Sequence, residues 1–130
     1  MDDLKDIVFT YKEHTGYIKI NRPPNNFFDS DLIRQIADVL EEMDKKQDCR
    51  SIILYSEGKH FCAGADFSRS NFKNESDAYS ALYDQAVRLF RTSKPIIAVI
   101  QGAAVGGGLG VALAADFRIA CKESRFSANF

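Results

Sequence analysis

Residues 94–120 read KPIIAVIQGAAVGGGLGVALAADFRIA, and the order of apolar runs and glycines within them sets the architecture. Pro95 introduces the apolar run Ile96 to Ile100, suited to a buried strand. A glycine-rich stretch follows, then a short helix over Gly107 to Ala115 and a strand over Phe117 to Cys121. Strand, helix and strand in that order imply parallel strands joined by a crossover, which is right-handed almost without exception. The upstream sequence repeats the alternation. Ile7 to Tyr11 and Tyr17 to Ile20 alternate apolar and polar residues around His14-Thr15-Gly16, as a β-hairpin would. After the breaker Arg22-Pro23-Pro24-Asn25-Asn26, Leu32, Ile33, Ile36, Val39, Leu40 and Met43 recur at helical spacing, predicting an amphipathic helix from near Asp29 or Ser30. Ile52 to Tyr55 reads as a buried strand. A second amphipathic helix carries Tyr79, Leu82, Tyr83, Ala86, Leu89 and Phe90, with Ser76 as its predicted cap. No repeat or linker divides the chain, so the reading is one α/β domain with parallel strands and crossover helices.

Composition narrows the function classes. The chain has 130 residues, 45% of them hydrophobic and 27% charged, which is ordinary for a soluble globular protein. A net charge of -1 without blocks of like charge gives no electrostatic reason to expect nucleic acid or an anionic membrane as partner. No apolar run is long enough to span a bilayer, and the start Met1-Asp2-Asp3-Leu4-Lys5-Asp6 is acidic where a signal peptide is basic, so a cytoplasmic protein is expected. Cys49, Cys62 and Cys121 are scattered, and His14 and His60 are the two histidines, so neither a disulfide framework nor a metal site is indicated.

Gln101 to Gly110 places five glycines in ten residues, which asks what must approach the backbone there. The spacing matches neither a dinucleotide fingerprint nor a P-loop. Gly102, Gly106, Gly110 and Ala114 recur every fourth residue and would form a smooth ridge on a helix for another backbone. A second small-residue loop, Ala63-Gly64-Ala65, leaves the carboxyl end of the strand over 52–55, just as residues 101–107 leave that of 96–100. In open parallel sheets sites form beyond these ends. If one N–H from each loop met at a common point, the pair would bind a carbonyl oxygen more tightly as it gained negative charge.

The loop HFCAGADF at 60–67, followed by residues 94–120, resembles the enoyl-CoA hydratase/isomerase family, the crotonase superfamily, and the similarity runs through Asn21-Arg22-Pro23 of the hairpin exit. The resemblance implies an incomplete crotonase-like ββα spiral, with residues 1–130 the N-terminal portion of one truncated domain whose full-length relatives form homotrimers or hexamers. It also implies a lyase or isomerase of fatty acid metabolism that binds an acyl-CoA thioester and stabilises its enolate in an oxyanion hole. Carried over, the donors are Ala65 and Gly107, and Ala63, Gly64, Ala65, Asp66 and Phe67 line the coenzyme A channel. Coenzyme A enters as part of the substrate, and no other cofactor is implied.

Two departures bear on the reaction. The positions of the family's two glutamates hold Gly110 and, by alignment, Phe130, neither of which moves a proton. Of the remaining groups, Asp66 and Asp116 read more readily as structural carboxylates, His60 as a solvated loop residue and Cys62 as a poor nucleophile without a partner. Lys59 could meet a phosphate, and Phe27 and Phe28 read as core or pocket wall. An enzyme, an acyl-CoA-binding homologue without turnover, and an interaction protein all stay open. A chain of this length is also expected to leave apolar surface exposed.

Overall fold

The computed structural model describes residues 4–66, 68 and 73–129. Five strands form the main sheet in the order β1 (Ile7–Lys12), β2 (Thr15–Ile20), β3 (Ser51–Ser56), β4 (Ile96–Ile100), β6 (Phe117–Ala120). β1 and β2 are antiparallel, with Ile7 opposite Ile20, and every later pair is parallel. Helices α1 (Ser30–Lys45), α2 (Glu75–Ala86) and α3 (Gly107–Ala114) connect β2 to β3, β3 to β4 and β4 to β6. The α/β reading with parallel strands therefore holds.

Helix α1 begins where Asp29, in extended conformation, accepts the Leu32 N–H at 2.9 Å. Its buried face carries Leu32, Ile33, Ile36, Val39, Leu40 and Met43, the residues that repeat in the sequence, together with Ala37 and Gln35. That face joins Ile18, Ile20, Ile52, Ile96, Ile100 and Phe61 in one core. Arg22 stands at the hairpin exit and reaches Asp6 and Asp29, each at 3.0 Å, so the cap of α1 is also the anchor of the preceding turn. Burial opposes the Arg22 charge, but the hydrogen bond and charge of Asp29, with Asp6, raise its pKa on balance.

Three sequence expectations are corrected. Asn74, not Ser76, caps α2, its side chain accepting the Asp77 N–H at 2.9 Å. Starting two residues earlier places Glu75 and Asp77 in the first turn, where the helix dipole favours acids. The helix expected to run to Phe90 ends at Ala86 and tightens into a 3-10 segment, Val87–Arg91, which satisfies terminal carbonyls at shorter range before the chain turns into β4. The small-residue ridge does not exist as a helical feature. α3 starts at Gly107, so Gly102 and Gly106 precede it, and residues 103–105 between them form strand β5. β5 pairs in parallel with β7 (Arg125–Ser127), a second, smaller sheet.

Strand β6 lies at the edge of the main sheet with all of its residues exposed, and Phe117, Ile119 and the nearby Leu113 present apolar surface to solvent, the exposure anticipated above. Asp116 fastens this strand to β4. Its carboxylate accepts the Ile96 N–H at 2.8 Å while its own N–H donates to the Ile96 carbonyl at 2.9 Å, a structural assignment for this carboxylate.

Candidate functional site

Beyond the carboxyl ends of β3 and β4 the two small-residue loops lie against each other as a short parallel ladder. Phe61 N–H donates to Gln101 O at 2.8 Å, Cys62 N–H to Ala103 O at 3.0 Å and Val105 N–H to Cys62 O at 3.1 Å. The next residues of the first loop pair with a different segment. Phe28 N–H donates to Gly64 O at 2.9 Å and Asp66 N–H to Phe28 O at 2.7 Å. In this parallel bridge Phe28 bonds the neighbours of Ala65, so the N–H of Ala65 itself points away from Phe28. Gly107 is the first residue of α3, whose first intrahelical bond of this end runs from Gly110 N–H to Gly106 O at 3.2 Å. Among the described residues no acceptor takes the N–H of Ala65 or that of Gly107.

Both residues line one cavity of about 730 Å³, together with Ala63, Gly64, Gly106 and Gly110. The remaining wall is apolar apart from Asn129 and comes from Phe28 and Ile33 on one side, Val111 of α3, and the face of α2 and its 3-10 extension carrying Tyr79, Leu82, Tyr83, Leu89 and Phe90. Periodicity marked that face as amphipathic; its position shows that it roofs a hollow in addition to covering core. No described lining residue is a carboxylate, histidine, lysine or cysteine.

The glycines differ in what they admit. A Cβ on Gly108 would fall on the carbonyl oxygen of Cys62, and one on Gly102 on the carbonyl oxygen of Lys59, so these two let α3 and β5 seat against the first loop. A Cβ on Gly107 would fall on Cζ of the Phe28 ring. Gly110 has nothing within 4 Å of such an atom and faces open cavity.

Asp66 is placed elsewhere. Its Oδ1 accepts from Ser68 N–H at 2.9 Å and Ser68 Oγ at 2.5 Å, and it lines a second hollow of about 170 Å³ with Arg22, Pro23, Pro24, Asn25 and Phe27. Phe67 and Phe130 lie outside the described residues. Cys62 is sealed in the core, and burial pushes its thiol from an ordinary 9.0 to about 12, against the opposing Gly64 N–H and Arg22 charge. It is therefore a protonated packing residue at neutral pH. Lys59 is exposed.

Two clamps were missed by sequence reasoning. His60 is not a solvated loop residue: its Nδ1 accepts the Ala103 N–H at 2.9 Å, which holds the start of β5 and fixes the proton of the neutral ring on Nε2. Asn26 is fully buried at φ 53°, accepting Arg22 N–H at 2.8 Å and donating to Glu57 O at 2.6 Å and His60 O at 2.7 Å. Asparagine tolerates this left-handed conformation, so its place in the Pro-Pro-Asn-Asn breaker was the one available signal.

The family model for enoyl-CoA hydratase/isomerase matches residues 10–130. The chain belongs to the enoyl-CoA hydratase/isomerase family. It is 38% identical over 124 residues to a putative enoyl-CoA hydratase/isomerase of Bacillus subtilis, covering 91% of this chain and 48% of the relative. A probable enoyl-CoA hydratase of the same organism is 34% identical over 126 residues, covering 94% and 49%. Among solved structures, a putative enoyl-CoA hydratase/isomerase (crotonase) of Legionella pneumophila superposes with a TM-score of 0.82 at 34% identity, over 95% of this chain and 51% of that one. The crotonase fold is thus shared, and the chain spans about half the length of the curated relatives it matches.

Proposed function

We propose that the protein binds an acyl thioester of coenzyme A and stabilises its enolate between the N–H groups of Ala65 and Gly107. The observation that carries this reading is the pair of main-chain donors, each without an acceptor among the described residues, lining one largely apolar cavity. When a base takes a proton from water and the resulting hydroxide adds to the β-carbon of an enoyl thioester, the alkene π pair becomes the π bond between the α-carbon and the carbonyl carbon and the carbonyl π pair moves onto oxygen. Loss of an α-proton from a saturated thioester gives the same kind of enolate. Donors aimed at that oxygen gain strength as its charge grows, and each is worth about 2.7–4 kcal/mol in the transition state. The amino end of α3 adds its dipole at Gly107. The names of the relatives, enoyl-CoA hydratases, support the substrate class. Since no described lining residue is a carboxylate, imidazole, amine or thiol, the base lies outside them.

That same lack, with Gly110 open to the cavity, supports a second reading in which the thioester is bound without turnover. Calorimetric titration with crotonyl-CoA beside a spectrophotometric hydration assay separates the two. Binding with turnover fits the enzyme, binding without it fits the second reading, and absence of binding removes both.

A further inference from the structure

We propose that the cavity takes a bulky apolar acyl group, medium-chain or aryl-bearing, and that Tyr79, Tyr83 and Phe90 form the wall that selects it. This rests on the acyl-thioester reading above and adds the size and chemistry of the acyl group to it.

Volume is the first observation. At about 30 Å³ per water-sized group, a cavity of 730 Å³ holds roughly two dozen such groups. It falls within the span of about 300–1,000 Å³ typical of sites that bury drug-sized ligands. On the reading above, the part of this space beside Ala63, Gly64 and Ala65 falls to the thioester and its arm, and the remainder, walled by Phe28, Ile33, Leu82, Tyr83, Leu89 and Phe90, is where the acyl group lies.

The second observation is the state of the segment formed by α2 and its 3-10 extension. Its apolar face is not consumed by the core: Leu82 and Leu89 are buried, but Tyr79 is 43% exposed, Tyr83 64% and Phe90 67%. These rings lie on one face of the segment and all line the cavity that also holds the Ala65 and Gly107 donors. Large apolar side chains left in water as a contiguous row mark a binding surface. Ring faces and edges of this kind accept alkyl chains and other rings equally well. Across the hollow, Phe28, Ile33 and Val111 supply the facing apolar wall. Ala86, between Tyr83 and Phe90, is the small residue that leaves depth in the wall.

The test is a calorimetric series with the purified protein and saturated thioesters that cannot be hydrated: butyryl-, hexanoyl-, octanoyl- and phenylacetyl-CoA, with free coenzyme A as baseline. Affinity is expected to rise about four-fold per added methylene from butyryl to octanoyl. A larger gain for phenylacetyl than for octanoyl assigns the aryl class, and the reverse assigns the straight chain; either supports the proposal. Tyr83→Ser, an exposed change whose fold is checked by circular dichroism, should lower octanoyl and phenylacetyl affinity several-fold more than butyryl affinity. Ala86→Phe should shorten the chain at which the gain stops, while Leu113→Ser, exposed outside the cavity, should leave the series unchanged. Equal affinities across the series, all tighter than free coenzyme A, overturn the bulky-acyl assignment and leave the thioester reading standing. If no thioester exceeds free coenzyme A, both fall.

Discussion

Deleting the Gly107 donor is the sharpest perturbation available, but proline alone would confuse two effects. Any Cβ at Gly107 falls on the ring of Phe28, with Cζ, Cε1 and Cε2 as the atoms in the way. Leucine lacks those atoms. The informative comparison is therefore Phe28→Leu/Gly107→Ala against Phe28→Leu/Gly107→Pro. The loss of the Phe28 ring from a largely buried site costs roughly 1–2 kcal/mol of stability in both and cancels. Gly107 is the first residue of α3, where proline is tolerated because the missing N–H has no helical partner. The two proteins then differ chiefly in one donor. At about 2.7–4 kcal/mol for such a donor and about 1.36 kcal/mol per decade, the proline protein should be about 10² to 10³ slower in kcat/KM than the alanine protein. Ground-state binding should weaken by far less, since a neutral hydrogen bond contributes about 0.5–1.5 kcal/mol. Infrared spectra of a thioester labelled at its carbonyl carbon supply a readout independent of turnover. The carbonyl stretch should be shifted to lower frequency in the alanine protein and return toward the free value in the proline protein. Equal spectra and equal kcat/KM would refute the role given to Gly107.

Gly110→Glu is sterically free and replaces a helical glycine, which by propensity gains up to about 1 kcal/mol; it should add pH-dependent hydration of crotonyl-CoA by about 10²-fold or more, read spectrophotometrically. Asn26→Ala loses three hydrogen bonds and leaves alanine in a left-handed conformation, so urea unfolding should show a loss of about 2–4 kcal/mol, of which Asn26→Gly recovers about 1. In native protein at mild alkaline pH, maleimide should label exposed Cys121 and spare buried Cys62, with Cys62 labelling appearing on denaturation in mass spectra. The raised Cys62 value also sets a sign: the unfolded chain releases this proton near 9.0 while the fold holds it to about 12, so stability should fall as pH rises through that window.

The parts of this fold that are legible in sequence are those whose pattern is local and repeated. Leu32 to Met43 bury the face their spacing predicts, and the runs 52–55 and 96–100 sit inside strands because they are apolar on both sides. β5 and β7 are three residues each and carry no periodicity; they are held by each other, by Cys62 and, at Ala103, by His60. The cap of α2 was misplaced because Asn74 and Ser76 are both acceptable cap residues, and the choice depends on where the chain becomes extended. At the site, glycine excess located both loops. The roof did not show, because the repeat of Tyr79, Leu82, Tyr83 and Leu89 is the same whether a helix face covers a core or a hollow. His60 and Asn26 bind partners far along the chain, and no local pattern encodes such pairs.

The dense glycines of residues 102–110 have more than one cause. Gly102 and Gly108 yield to the protein's own carbonyls, those of Lys59 and Cys62, which draws the second loop onto the first. Gly107 yields to Phe28, and Phe28 in turn bonds the residues flanking Ala65. One aromatic residue thus touches both donor segments, its backbone setting the direction of the Ala65 N–H and its ring setting how closely α3 can approach. The approach of α3 to the first loop is therefore limited by an apolar ring as well as by the Gly102 and Gly108 contacts. Phe28→Leu alone should accordingly weaken carbonyl polarisation in the infrared assay while leaving both donors in the chain. A spectrum unchanged from that of the parent protein would show that α3 is positioned by the Gly102 and Gly108 contacts alone.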